Sequence, residues 1–307
     1  MMWLNKQSNW SLNFHTLFLL FTLILNVAAQ APVLGVTLDT AARDDAERII
    51  YSSKLTFTED TGTLFSDAQI YGLARLGFEE MRTKYEADGV HQHEQPVMMA
   101  AVAVGNSVYI TSNIKGGPYF YAYTDTRLKP EVTLALERCT TSLEQNRGVP
   151  VSGQHRTKAS CAEIAALHEY YLDPDVSDAD RQTRPATRMA AFGQPGGVGK
   201  MQPQAACGGP ETVVDGHMTW GCKQFMSEEQ INVPKKPART SSEMNLPNPF
   251  PEFTATQVSF VCPGRAGRRL SEDPPASSAP TSTATVVVTQ TSSSAATSST
   301  AVILNKT

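Results

Sequence analysis

The sequence predicts an α/β protein in which helices alternate with strands around one β-hairpin. Three stretches carry that prediction. Val97–Val104 is a continuous apolar run of strand length, Gly105-Asn106 is a two-residue turn signal, and Val108–Ser112 is a second β-prone run, so the three together read as a hairpin. Ahead of it, Ser66–Tyr85 places Ile70, Leu73, Ala74, Leu76, Phe78 and Met81 on one broad helical face behind a Ser66 cap. Behind it, Pro130–Gly148 and a segment opening at Cys161 read as two further helices.

The remaining elements follow in chain order. Residues 1–29 hold one charged residue, Lys6, then the run Leu17–Leu25 and the small-residue pattern Val27-Ala28-Ala29. This is the composition of a secretory signal peptide and is too short for a membrane span, so the mature chain is expected to begin near Gln30 and to be extracellular. Residues 30–65 read as a helical extension, with a helix over Thr40–Leu55 capped by Asp39 or Thr40. The helix from Cys161 runs through Leu167 and Tyr171 to Pro174. Arg188–Gly193 reads as a strand, Lys223–Gln230 as a short helix after Trp220-Gly221-Cys222, and Gln257–Cys262 as a last strand. Residues 232–251, dense in Pro, Lys, Ser and Asn, read as an irregular insert in a domain spanning 66–262. From 263 to 307 the chain is a Ser/Thr-rich tail with too little bulky apolar surface to offset its chain entropy, expected to be disordered, O-glycosylated and able to hold the protein at a cell surface.

Charge narrows the function. The net charge is −4, and removing Lys6 with the leader leaves 25 basic against 30 acidic residues, which gives no support for a nucleic-acid-binding surface. The glycines of 193–200 do not form a nucleotide phosphate loop, because Gln194 stands at its first glycine and Met201 at its Ser or Thr. His91 and His93 read as solvated loop histidines, and His168, Tyr171 and Trp220 as packing residues.

Chemistry concentrates at Cys161-Ala162-Glu163. A thiolate at a helix start binds Zn²⁺ well, and a carboxylate two residues on reaches water at the metal and serves as its base. The five cysteines are Cys139, Cys161, Cys207, Cys222 and Cys262. In a secreted protein cysteines pair, and an odd number leaves one over. A Cys207–Cys222 disulfide therefore stands beside the alternative of three ligands plus a Cys139–Cys262 bridge.

The order of helix, apolar hairpin, helix bearing Cys161-Ala162-Glu163, strand, and cysteine-bearing turn into a helix resembles the cytidine deaminase-like superfamily, over about residues 66–230. The resemblance implies a three-layer α/β/α sandwich with a mixed sheet that begins in the hairpin. It implies Zn²⁺ held by Cys161, Cys207 and Cys222 with an open fourth position for water, and Glu163 as the proton shuttle. The activity implied is hydrolytic deamination of a nucleoside, a base or a nucleic-acid base by zinc-bound water. The second motif departs from the family's Pro-Cys-x-x-Cys: Ala206 precedes Cys207, and residues 208–221 intervene before Cys222. His217, inside that insert, is an alternative third ligand, while His155 reads as a polar loop residue near the pocket mouth. The reading of a different class is a disulfide-stabilised secreted binding protein or effector at the cell surface, without chemistry.

Overall fold

The computed structural model describes residues 31–122, 129–147, 151, 155–183, 186–207, 212–214 and 217–261. The leader, the Ser/Thr-rich tail and Cys262 lie outside them. Strand β1 (Thr37–Leu38) leads into helix α1 (Thr40–Ala46), capped by Asp39, whose Oδ1 accepts the Ala42 N–H at 2.9 Å. The other oxygen of Asp39 accepts the Phe260 N–H at 2.7 Å, so one buried carboxylate ties the start of the described chain to its end.

The helix expected over Thr40–Leu55 ends at Ala46, where Glu47 turns left-handed, and Tyr51–Phe57 forms strand β2. The polar letters of β2 disguise a strand buried along almost its whole length. Ser53 Oγ donates to the Leu34 carbonyl at 2.7 Å, and Lys54 Nζ lies 2.6 Å from Asp173 Oδ2. A short helix α2 (Thr61–Leu64) precedes α3 (Asp67–Arg82). The Ser66 cap of α3 is a full capping box: Ser66 Oγ accepts from the Gln69 N–H, and Gln69 Oε1 accepts from the Ser66 N–H at 2.8 Å.

The hairpin forms as expected from β3 (Met98–Val104) and β4 (Ser107–Ser112), with Ala101 opposite Ile110. Helix α4 (Glu131–Arg147) follows, then α5 (Ala162–Leu172), α6 (Asp178–Thr183), β5 (Arg188–Gly193), β6 (Gln202–Gln204), the small hairpin β7 (Thr212–Val214) and β8 (His217–Thr219), and α7 (Cys222–Glu228). Residues 232–251 hold one 3₁₀ turn, Ser242–Met244, and are otherwise irregular. The last strand, β9, is Phe253–Thr256, so the strand expected over Gln257–Cys262 begins and ends earlier. Val258, Phe260 and Val261 are buried without strand pairing because their side chains fill the core beside α5.

The main sheet runs β1-β2-β4-β3-β5-β6, with β9 also on β2. Every pairing between its strands is antiparallel, where a mixed sheet was expected. Period-two alternation in β3 builds the layers. Met99, Ala101 and Ala103 face α3, whereas Ala100, Val102 and Val104 face α4, α5 and α7, giving the expected α/β/α sandwich with a core on each side. Gly77 of α3 sits so close to the sheet that a Cβ there would lie 2.6 Å from Ile110 Cγ2. Among the described residues no helix is long and apolar enough to cross a membrane.

Candidate metal centre

Three separate segments bring their sulfurs to the N-terminal end of α5. Cys161 is the N-cap residue of that helix, and its side chain makes no capping bond, which leaves the sulfur free to face its neighbours. Cys207 follows β6, and Cys222 is the first residue of α7. The backbone fastens these last two together, because the Lys223 N–H donates to the Cys207 carbonyl at 2.7 Å and the Cys222 N–H donates to Cys207 Sγ at 3.2 Å. The turn 155–158 closes the fourth side, held by the Arg156 N–H donating to the Trp220 carbonyl at 3.0 Å.

The result is a group of four: His155, Cys161, Cys207 and Cys222, with all ligand atoms within 4.8 Å of one another. Cys161 Sγ and Cys207 Sγ are 3.2 Å apart, well beyond the 2.05 Å of a disulfide and shorter than the roughly 3.8 Å edge of a tetrahedron with 2.3 Å zinc–sulfur bonds. None of the four described cysteines is in a disulfide, so the Cys207–Cys222 bridge weighed above is not formed. Cys139 is buried on the core side of α4, and its suggested partner Cys262 lies outside the described residues. The side chain of His217 also lies outside them.

Electrostatics show why the group suits a cation. Cys207 is held as a thiolate, far below an ordinary thiol, by hydrogen bonds from the Cys161 and Cys222 thiols and then from His155. The Cys161 and Cys222 thiols are pushed up, Cys161 chiefly by its bond to Cys207 and Cys222 chiefly by burial. Proton sharing among the three sulfurs thus favours negative charge at Cys207, and a divalent ion held by Cys161, Cys207 and Cys222 would favour the ionised form of all three. The donor set of three thiolates and an imidazole is one that zinc favours, and it fits.

Glu163, in the first turn of α5, is 5% exposed and faces the same group. Burial raises its carboxyl to about 7, and the Cys207 charge adds to that; the Cys207 amide and the Cys222 thiol pull the other way. His155 is the residue that spacing alone did not single out. It is 1% exposed, stacked edge-on against Trp220 at 5.1 Å, with Nε2 3.7 Å from Cys207 Sγ. Its only sequence signal is a histidine six positions before Cys161.

The other expectations fall outside the group. His91 caps and His93 lies within a short 3₁₀ turn, Gln92–Glu94, and both are exposed, as in a solvated loop. His168 is buried, with Nε2 3.0 Å from the Phe260 carbonyl, and Trp220 and Tyr171 are core residues. Compared with known proteins, the chain matches no family model, no curated protein and no solved structure.

Proposed function

We propose that this chain is a secreted, zinc-dependent, deaminase-like hydrolase in which Cys161, Cys207 and Cys222 hold the ion and Glu163 carries the proton. The observation that supports it most is a buried carboxylate pressed against three converging thiols, a combination that a purely structural zinc site does not require. Zinc, when bound, supplies a Lewis acid that brings the pKa of a coordinated water to about 7. Glu163 then takes a proton on one side of the reaction and returns it to the departing nitrogen on the other. Water replaces an exocyclic amine on the substrate ring, leaving a carbonyl and free ammonia. The secreted location rests on the composition of residues 1–29.

Hydrogen bonding around His155 favours three thiolate ligands with His155 outside them. The Thr157 backbone N–H points at His155 Nδ1 at 3.3 Å and Thr157 Oγ1 lies 2.9 Å from the same nitrogen; with Nδ1 accepting from the backbone, Nε2 carries the proton and directs it toward the Cys207 sulfur. In that tautomer His155 is a hydrogen-bond donor to a thiolate and leaves a fourth metal position for water.

The second reading has an observation of its own. His155 Nε2 is close enough to be the fourth ligand, and a closed Cys₃His site is the usual form of a structural zinc in a non-catalytic binding protein. Elemental analysis of the secreted protein, wild type beside Cys161→Ser, tests the metal first: about one zinc per chain, lost in the variant, is expected. Ammonia release from nucleosides, free bases and single-stranded oligonucleotides then separates the readings. In the enzyme, Glu163→Gln keeps its zinc and loses activity by about 10²–10⁴-fold. Full zinc with no ammonia from any of these would leave the structural site standing.

A further inference from the structure

The sulfurs of the centre are placed for a second chemistry, and their spacing selects two of the three. Cys161 Sγ and Cys207 Sγ stand 3.2 Å apart, nearer to each other than the sulfurs of a tetrahedral zinc site, and an approach of about 1 Å brings them to the length of a disulfide. Both residues are partly exposed. Cys161 is an N-cap residue whose side chain makes no capping bond, and Cys207 lies in the irregular stretch after β6, so neither sulfur is fixed by regular structure. The contacts that shift are those of exposed Thr157 Oγ1, 2.9 Å from Cys161 Sγ, and of His155 Nε2, 3.7 Å from Cys207 Sγ.

Cys222 is placed differently. It is 0% exposed in the first turn of α7, and it meets Cys207 through its backbone N–H, 3.2 Å from the sulfur. An oxidant in solution therefore reaches the other two sulfurs first. A bridge from 161 to 207 also spans 46 positions against 15 for one from 207 to 222, and the longer loop restrains the unfolded chain more.

We propose that Cys161 and Cys207 form a reversible disulfide that disables the metal centre, a redox control that rests on reading these sulfurs as its ligands. The oxidant is a small disulfide such as glutathione disulfide. One of the two protein thiolates attacks a sulfur of that disulfide, breaking its S–S bond and releasing one glutathione thiolate; the second protein sulfur then attacks the mixed disulfide, closing Cys161–Cys207 and releasing the other. Two protein thiols are oxidised to one bridge, glutathione disulfide is reduced to two glutathiones, and the two thiol protons pass to them. The bridge withdraws two of the three ligand sulfurs, so bridge and bound metal exclude each other.

The test is peptide mapping of the full chain, freed of metal by a chelator under reductant and then exposed to glutathione disulfide at about pH 8. Remaining thiols are alkylated, and the chain is digested with trypsin and a glutamate-specific protease, which cuts after Glu211 and so separates Cys207 from Cys222. A Cys161 peptide joined to a Cys207 peptide, with Cys222 alkylated, is expected, and prior loading with zinc should slow its formation at least about tenfold. Dithiothreitol should restore the zinc stoichiometry that the bridge removes. Pairing of Cys207 with Cys222, thiols that all stay open to alkylation, or a bridge that forms equally fast in the zinc-loaded chain overturns the proposal. A reduced chain that binds no zinc yet forms this bridge would sink the zinc reading and leave the disulfide; a chain that binds zinc and never forms it would do the reverse.

Discussion

His155 decides how many positions around a cation the chain itself fills. In the proposed reading Nδ1 accepts from the Thr157 backbone and Nε2 donates to the Cys207 sulfur. His155→Ala should therefore retain about one zinc per chain with affinity weakened by about 10–100-fold, whereas Cys207→Ser loses the ion; chelator competition on the two variants measures the difference. Equal loss in both would make His155 a ligand and the site closed. A second histidine gives a prediction in pH. His168, enclosed by Tyr119, Phe120 and Phe260, has its pKa pushed down to about 4 by burial, against about 6.5 in the unfolded chain. Between those values the unfolded chain binds the extra proton, so this contribution is fully present above about pH 6.5 and is lost as pH falls toward 4, by an order of 3 kcal/mol. The buried carboxyls of Asp39 and Glu169 are raised and act with the opposite sign. The check is the difference in unfolding free energy between wild type and His168→Phe, which should shrink as the pH is lowered through this window.

Elements in this chain divide by whether their burial is written in neighbouring letters. The β3–β4 hairpin was legible because its apolar runs flank Gly105-Asn106, and α3 because Ser66 and Gln69 spell a capping box ahead of an amphipathic face. Strand β2 was not. Ser52, Ser53 and Lys54 are buried only because Leu34, Asp173 and the neighbouring strands, distant in sequence, receive them. The helix–sheet contact at Gly77 is likewise invisible in the sequence, and it carries its own prediction. Gly77→Ala improves helix propensity yet forces a methyl into Ile110, so denaturant unfolding should show a net loss of about 1–3 kcal/mol. A stabilised variant would mean that α3 can lift from the sheet without cost.

At the scale of the whole molecule, the centre joins α5, the end of β6, the start of α7 and the 155 turn, so metal binding should stabilise the fold. Thermal or denaturant unfolding followed against free zinc is expected to gain about 1.4 kcal/mol per tenfold rise above the dissociation constant, and to lose that gain in chelator or in Cys161→Ser. Cys161 and Glu163 could be read from three letters because they share one helix start. Cys207 and Cys222 could be read only by assuming that the long insert folds back, and His155 only as a polar loop residue near the pocket mouth, since its partner is Trp220 in space and not in sequence. The bifurcated carboxylate of Asp39 has one more consequence. Because it holds both Ala42 and Phe260, the first and last stretches of the described residues lie side by side, close to a closed ring. Joining residue 261 to residue 31 by a short flexible linker and reopening the ring at the exposed Gly199-Lys200 should yield a circular permutant with unchanged zinc stoichiometry.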